Sequence, residues 1–242
     1  MTSERDKELS LVQHLAEFKD RLMVAAIAIA ITTAISFVFT TDIIRMLILP
    51  VGVDQKLTSL SPTENFTTYM RVALFSGIAL SMPVILYEIY AYIDPALHPQ
   101  ERRFVLTLGP FILLLFISGM LFCYFIVLPS AIKFLINFAK EVFDNQLRAS
   151  EYLSFVTTFI LGMGLVFEMP VVIYTLVRVG VVQRSWLTSR RRYIFLLSFI
   201  LAAVITPTPD PFNQSLVALP MSLLFELGLI LARFGPRPRA AA

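Results

Sequence analysis

The fold class is decided by one stretch of sequence, Ile160-Leu-Gly-Met-Gly-Leu-Val-Phe-Glu-Met-Pro-Val-Val-Ile-Tyr-Thr-Leu-Val177, in which one acid, Glu168, lies inside an apolar run. With the apolar residues before it, the run is long enough to cross the ~30 Å hydrocarbon core of a bilayer as a helix. A carboxylate at that depth costs roughly 2.5 to 3.5 kcal/mol, so it is expected to face a bundle interior or a wet cavity. We therefore predict an intramembrane polar site at Glu168. The alternative is a protonated Glu that is hydrogen-bonded to a neighbouring helix.

The composition of the whole chain also indicates a membrane protein. Of its 242 residues, 57% are hydrophobic, 15% are charged and 21 are Phe, which does not describe a soluble domain. Six apolar stretches are candidate spans: 22–40, 70–93, 104–128, 152–177, 193–205 and 216–232. We predict an all-α integral membrane protein with six transmembrane helices.

The last two stretches are short. They have about 13 and about 17 residues, against the ~20 that a span normally needs, so a re-entrant hairpin is the alternative to two short spans. We prefer two spans joined by the turn Thr206-Pro-Thr-Pro-Asp-Pro211. Basic residues at 190–192 precede the pair and others at 233–239 follow it, which places both ends in the cytoplasm.

The basic residues also predict the orientation, since cytoplasmic loops carry the excess of Lys and Arg. With the amino terminus inside, 14 of the 20 basic residues are cytoplasmic and six are external. The external six are Arg45, Lys56, Arg71, Lys133, Lys140 and Arg148. We predict a multi-pass membrane protein with both termini cytoplasmic. Its net charge of +3 is assigned to the inner surface of the lipid membrane and not to nucleic-acid binding.

The chain is predicted to form one domain. Residues 1–234 are expected to be a six-span membrane domain with an amphipathic amino-terminal lead-in helix, and residues 235–242 a disordered cytoplasmic tail. The first apolar run is too long for a secretory signal, so no cleaved leader is expected. Cys123 is the one cysteine, and the two histidines, His14 and His98, lie outside the predicted spans. Neither a disulfide, a Ser-His dyad nor a His-based metal site can be built in the membrane, and we expect no enzymatic activity and no cofactor.

Two prolines lie in similar contexts in two spans of the same direction. Ser81-Met-Pro-Val-Ile-Leu-Tyr87 is similar to Glu168-Met-Pro-Val-Val-Ile-Tyr174. A proline inside a helix removes one hydrogen bond and kinks the helix. Two bent, parallel helices would form a concave wall; the alternative is chance similarity between proline-containing spans.

Two carboxylates are predicted at the cytoplasmic surface. Glu17 lies on the polar face of the lead-in helix, where it could pair with Arg21 for a few tenths of a kcal/mol. Glu101 lies in a short loop restricted by prolines. Together they could form an acidic patch in a basic surface. The alternative is that Glu101 offsets the arginines that follow it and stabilises the start of the third helix.

Motifs spread from about residue 11 to 234 resemble those of one family. They are His14-Leu-Ala-Glu-Phe-Lys-Asp-Arg-Leu22, Ser59-Leu-Ser-Pro-Thr-Glu64, Met82-Pro-Val-Ile-Leu-Tyr87, Pro95-Ala-Leu-His-Pro-Gln-Glu-Arg-Arg103, Tyr124-Phe-Ile-Val-Leu-Pro129, Tyr152-Leu-Ser-Phe155, Phe167-Glu-Met-Pro170 and Leu219-Pro-Met-Ser-Leu-Leu-Phe-Glu226. In this order they resemble the TatC family, the multi-spanning receptors of the twin-arginine protein translocase.

The resemblance implies a concave, glove-like six-helix bundle in the bacterial cytoplasmic membrane. Such a protein binds the Ser-Arg-Arg-type signal peptides of folded precursors at its cytoplasmic face and recruits the single-span subunits TatA and TatB. It self-associates in the receptor complex, and transport uses the proton-motive force.

The resemblance also implies roles for individual residues. Glu17 and Glu101 would receive the two arginines of the signal peptide, because planar guanidinium suits bidentate contact with carboxylates. The other positions implied to bind the peptide are Lys19, Tyr92 and Arg102. Glu168 would be the intramembrane glutamate of the concave face, with Gln214 at the start of the last span. Asp210 at the outer turn and Pro50 in the first external loop would be further functional positions.

Some residues depart from the family pattern. Lys19 replaces the more usual Arg and keeps the charge but not the planar fork. Tyr92 stands where the family often has Phe, and Asp94 replaces a neutral residue.

The rival function is a proton-coupled secondary transporter that uses Glu168. Such a protein would more naturally carry polar pairs in several spans. Here Glu168 is the one deep acid, and we predict structural roles for Glu88 and Glu226 near the cytoplasmic ends.

Overall fold

The structure, a computed structural model, describes residues 11–51, 57–93, 99–138, 147–206 and 210–234. Within these ranges the chain forms nine α-helices: α1 (Leu11–Ile48), α2 (Pro62–Ile93), α3 (Pro99–Phe122), α4 (Leu128–Asn137), α5 (Ala149–Phe167), α6 (Met169–Arg178), α7 (Arg184–Ser189), α8 (Arg191–Ile205) and α9 (Pro211–Phe234). A 3-10 turn, Leu49–Val51, follows α1, and a π-helical turn, Cys123–Val127, joins α3 to α4. The predicted tail at 235–242 lies outside the described residues.

Five helical segments of the described chain are long and apolar enough to cross a membrane: His14–Ile48, Pro62–Tyr92, Gly109–Asn137, Ala149–Arg178 and Pro211–Arg233. The remaining predicted span is α8, which has 15 residues and is therefore only about 22 Å long. The all-α membrane fold is confirmed. The last span is longer than its apolar stretch, because α9 begins at Pro211 with a polar first turn.

The predicted lead-in helix and the first span are one continuous helix, α1, of 38 residues. The sequence between Leu11 and Ile48 contains neither Gly nor Pro, so nothing in it breaks the backbone hydrogen bonds where the helix would enter the membrane.

α1 and α2 pack as an antiparallel hairpin through small and hydroxylated residues. Thr32 Oγ1 lies 2.8 Å from the carbonyl oxygen of Gly77. A Cβ on Gly77 would come within 2.7 Å of the backbone of Thr33, so glycine permits this close approach. Lipid is as apolar as Leu and cannot drive helices together, which is why close packing and interhelical hydrogen bonds matter here.

α5 supplies the centre of the core, with Val156, Phe159 and Met163 fully buried. The helix is interrupted at Glu168, between α5 and α6, where Pro170 has no N–H to continue the hydrogen-bond ladder. Pro83, by contrast, lies inside α2 without ending it. The helix is therefore interrupted at Pro170, the second of the two predicted proline bends, and continues through Pro83, the first.

Candidate functional site

At the end of the bundle where α1 begins and α2 ends, a guanidinium lies between two carboxylates. Arg21 Nε and Nη2 donate to Glu17 Oε1 at 3.0 and 2.6 Å, and Arg21 Nη1 donates to Glu88 Oε2 at 3.2 Å. These three side chains, hereafter the Arg21 cluster, are 26%, 23% and 13% exposed in the order Arg21, Glu17, Glu88. The predicted pairing of Glu17 with Arg21 is confirmed.

Glu88 belongs to α2 and lies 67 residues from Arg21 in the sequence. A structural role near the helix end was predicted for it, but its contact with Arg21 was missed. The spacing of residues along one helix reveals partners three or four positions away and says nothing about a partner on another helix.

An aromatic contact fixes the same two helix ends. The ring of Tyr92 stacks on that of His14, with centroids 4.5 Å apart and planes at 22°, and meets the ring of Phe18 edge-on at 5.5 Å. Such pairs stabilise beyond the area they bury. Tyr92 therefore holds the first turns of α1 against α2 and sets the position from which Glu17 is presented.

The remaining residues predicted to bind the peptide are not all brought to this cluster. Lys19 is 69% exposed and pairs with Asp20 at 3.3 Å. Glu101 and Arg102 were predicted to lie in a loop before the third span, but α3 begins at Pro99, so both lie in its first turn. Proline favours the first position of a helix, which explains the early start. The side chains of Glu101 and Arg102 lie outside the described residues.

Glu168 is 7% exposed at the break between α5 and α6. Its carbonyl oxygen accepts hydrogen bonds from Val171 and Val172 and so begins α6. Neither oxygen of its carboxyl group has a hydrogen-bond partner in the described part of the chain. Buried polar atoms are normally paired, so this carboxyl group marks a place where the fold leaves a strong acceptor unused.

Of the other three predicted positions, Gln214 and Asp210 make structural contacts. Gln214 Nε2 donates to the carbonyl oxygen of Phe199 at 2.7 Å and ties α9 to α8. Asp210 Oδ1 accepts from the backbone N–H of Asn213 at 2.7 Å, which is the geometry of a helix amino-terminal cap. Pro50 lies half-buried in the 3-10 turn after α1.

A second polar cluster, missed in the sequence, joins the segments before α2 and α5. Glu64 accepts from Arg148 Nε at 3.0 Å, from Ser150 Oγ at 2.6 Å and from the backbone N–H of Leu60 at 3.0 Å. The carboxylate raises the pKa of the Arg148 guanidinium above its usual value by hydrogen bonding and charge. The position of Glu64 in this cluster could have been found in the sequence, because Ser61-Pro-Thr-Glu64 has the Ser-x-x-Glu spacing of a capping box.

Among the described residues, no group of three or more His, Cys, Asp or Glu side chains is arranged to hold a metal ion.

Comparison with known proteins identifies the family. The family model of TatC, the Sec-independent protein translocase protein, matches residues 13–220. The Sec-independent protein translocase protein TatC of Carboxydothermus hydrogenoformans is 35% identical over 230 residues, 95% of each chain. That of Aquifex aeolicus is 36% identical over 236 residues, which cover 96% of this chain and 98% of the relative.

A solved structure agrees with these relatives. The crystal structure of the twin arginine translocase receptor TatC matches with a TM-score of 0.82 and 36% sequence identity, over 91% of this chain and 98% of that one. Both the sequence and the fold are thus shared over nearly the whole length, and the chain belongs to the TatC family of Sec-independent protein translocase proteins.

Proposed function

We propose that this protein is the twin-arginine signal-peptide receptor and a core subunit of a Tat translocase, which exports folded precursors with the proton-motive force. The observation that carries the proposal is the similarity in sequence and fold, over nine-tenths of the chain, to a twin arginine translocase receptor. The relatives give no support to the proton-coupled transporter as an alternative.

The Arg21 cluster supports peptide binding at this end of the bundle. Glu17 holds a guanidinium in the structure, which is the group that a twin-arginine peptide would present. We assign Glu17 and Glu101 to the two arginines, with Lys19 and Arg102 beside them. Tyr92 serves in this proposal to hold α1 in place, and its ring also offers a face to a cation.

Partner binding is proposed for the interior of the membrane. The buried carboxyl group of Glu168 has no partner in the described residues, which favours contact with a polar group that this chain does not supply. TatA and TatB, the single-span subunits, are the proposed partners, and Gln214, Asp210 and Pro50 are proposed to contribute to the translocase. A further copy of the chain is proposed in the receptor complex.

The proposed location is the bacterial cytoplasmic membrane, with both termini in the cytoplasm. The distribution of basic residues supports this orientation, 14 cytoplasmic against six external. It places the Arg21 cluster on the cytoplasmic side, where precursors are made.

Crosslinking tests the proposal. A signal peptide that carries a photo-crosslinker is added to membranes containing the protein, either with its Arg-Arg pair or with Lys-Lys in its place. We expect crosslinks with Arg-Arg and far fewer with Lys-Lys, since Lys lacks the planar guanidinium group that can donate two parallel hydrogen bonds to a carboxylate. Glu17→Gln should reduce the Arg-Arg signal, whereas Glu151→Gln, a 74% exposed acid in the first turn of α5, should not. Equal crosslinking of both peptides to the wild-type protein would contradict the proposal.

A further inference from the structure

One oxygen of the carboxylate assigned to the peptide is already occupied. Glu17 Oε1 accepts two hydrogen bonds from Arg21, at 3.0 and 2.6 Å, and these are charge-assisted contacts of the kind a peptide arginine would make. A peptide guanidinium that bound the same oxygen would therefore have to displace Arg21 from it.

The cluster is built to keep Arg21 after such a displacement. Glu88 holds Nη1 of the same guanidinium at 3.2 Å, and it is the less exposed of the two acids, 13% against 23%. Two carboxylates face one guanidinium, so the cluster has one negative charge in excess. Within the described chain, Glu17 Oε2 and Glu88 Oε1 accept no hydrogen bond.

There is room for a second cation. A groove of about 530 Å³ opens beside the cluster, and Glu17, Arg21 and Glu88 line it together with Ala16, Asp20 and Val24. This volume is within the range of ligand sites in proteins.

We propose that Arg21 is an internal competitor for the peptide arginine and that Glu88 is the acceptor that receives Arg21 when the peptide takes Glu17. The inference rests on the proposed function and adds two specificity-determining residues to it. In the free receptor Arg21 neutralises Glu17; in the bound receptor it pairs with Glu88 alone.

The competitor makes the site selective. A ligand that binds both oxygens of Glu17, as a guanidinium does in a bidentate contact, must first replace two charge-assisted hydrogen bonds at Oε1. A peptide arginine offers the same donors in the same planar arrangement, whereas a lysine offers a point charge without that fork. Arg21 therefore weakens the binding of every cationic peptide, and it weakens lysine peptides most.

Binding of Arg-Arg and Lys-Lys peptides to the full chain in detergent tests the inference, with fluorescence anisotropy as the readout. Arg21→Gln should bind the Arg-Arg peptide about fivefold more tightly, the factor expected for one partly exposed ion pair. It should gain more for Lys-Lys, so that the Arg-Arg preference falls. Glu88→Gln should change the affinity in the opposite direction, because Arg21 then has Glu17 alone. Arg191→Gln, which breaks the 2.9 Å pair with Glu226, is the matched control and should change neither affinity.

The outcomes distinguish failure of the inference about Arg21 and Glu88 from failure of the proposed function. Weaker Arg-Arg binding by Arg21→Gln would show that Arg21 only positions Glu17 and would overturn the inference, as would unchanged binding by Glu88→Gln. If Arg21→Gln does not fold, Arg21→Lys replaces it, because Lys keeps the charge but loses the fork; binding tighter than wild type is expected and weaker binding overturns the inference. A wild-type protein that does not distinguish Arg-Arg from Lys-Lys would overturn the proposed function itself.

Discussion

Glu64 and Arg148 lie 84 residues apart in the sequence and are joined by a hydrogen-bonded ion pair of 3.0 Å. Two backbone hydrogen bonds run beside it, from Thr58 N–H to the carbonyl of Leu147 and from Ala149 N–H to the carbonyl of Thr58. Together these contacts fasten the segment before α2 to the segment before α5. Both segments lie at the opposite end of α2 from the Arg21 cluster.

Glu64→Gln should destabilise this junction. Glu64 is 7% exposed, and its carboxylate accepts from Leu60, Arg148 and Ser150. An amide would turn one acceptor into a donor that faces other donors, and Arg148 would lose the negative charge of its 3.0 Å partner. The melting temperature in detergent should fall by several degrees. Glu151→Gln also removes a contact of Arg148, but an exposed one of 3.4 Å, and should leave the melting temperature unchanged. Equal effects of the two variants would contradict this interpretation.

Gly77→Ala should separate α1 from α2. The new Cβ would lie 2.7 Å from backbone atoms of Thr33, which cannot move aside as a flexible side chain could. Overpacking of this kind costs about 1–3 kcal/mol in free energy of unfolding. Gly109→Ala in α3 is the control, because its Cβ would meet nothing within 4 Å. Unfolding of both variants in detergent, followed by circular dichroism, measures the difference, and a Gly77 variant as stable as the Gly109 variant would contradict the close approach.

Glu168→Leu should abolish export without lowering the stability of the protein. The substitution removes two buried oxygens that have no partner in the described residues, so the free energy of unfolding should be unchanged or rise by about 1–3 kcal/mol. Export of a twin-arginine precursor from cells should nevertheless be lost, because the proposed contact needs the carboxyl group. A clear loss of stability would show instead that Glu168 is structural, and normal export would remove its functional role.

Glu101→Arg should strongly weaken peptide crosslinking without impairing membrane insertion. The change removes a charge-assisted acceptor and places a cation where the peptide brings two more. Glu17→Arg should act similarly, and a double variant should be much less impaired than the sum of the single ones if both acids form one patch. Wild-type crosslinking by Glu101→Arg would show that this turn only balances the arginines that follow it.

Cysteine labelling should show that the segment between α8 and α9 is accessible from the external side of the membrane. A Thr208→Cys variant should react with an impermeant maleimide added to intact cells, since the basic residues around both helices are assigned to the cytoplasm. Cys123 is fully buried and should not contribute to the signal. Reaction only after the cytoplasmic side is exposed would show that the last two segments form a re-entrant hairpin.

The membrane spans could be predicted from the sequence because apolar length is a local property. The pairing of Glu17 with Arg21 could be predicted for the same reason, as an i,i+4 spacing on one helix. The contact of Arg21 with Glu88 could not, since it depends on how two helices are rotated and shifted against each other. The pairing of Glu64 with Arg148 could not be predicted either, because it joins segments that only the packed bundle brings together.

The continuity of α1 was also missed, for a different reason. The change from a mixed polar segment to an apolar one at about residue 22 looked like a boundary between two elements. The change marks where α1 passes from a polar to an apolar environment, and the helix continues through it because its backbone hydrogen bonds do not depend on the polarity of its side chains.

The close contact at Gly77 has a consequence for the distant end of the hairpin. Gly77 and Glu88 are on the same helix, about 16 Å apart along its axis, and α1 runs beside both without a break. A slip of α1 by one turn, about 5.4 Å, would carry His14 away from the ring of Tyr92 and Arg21 away from Glu88. The contact deep in the hairpin thus sets the register in which Glu17 and Glu88 meet Arg21 at its end, where we propose that the peptide binds.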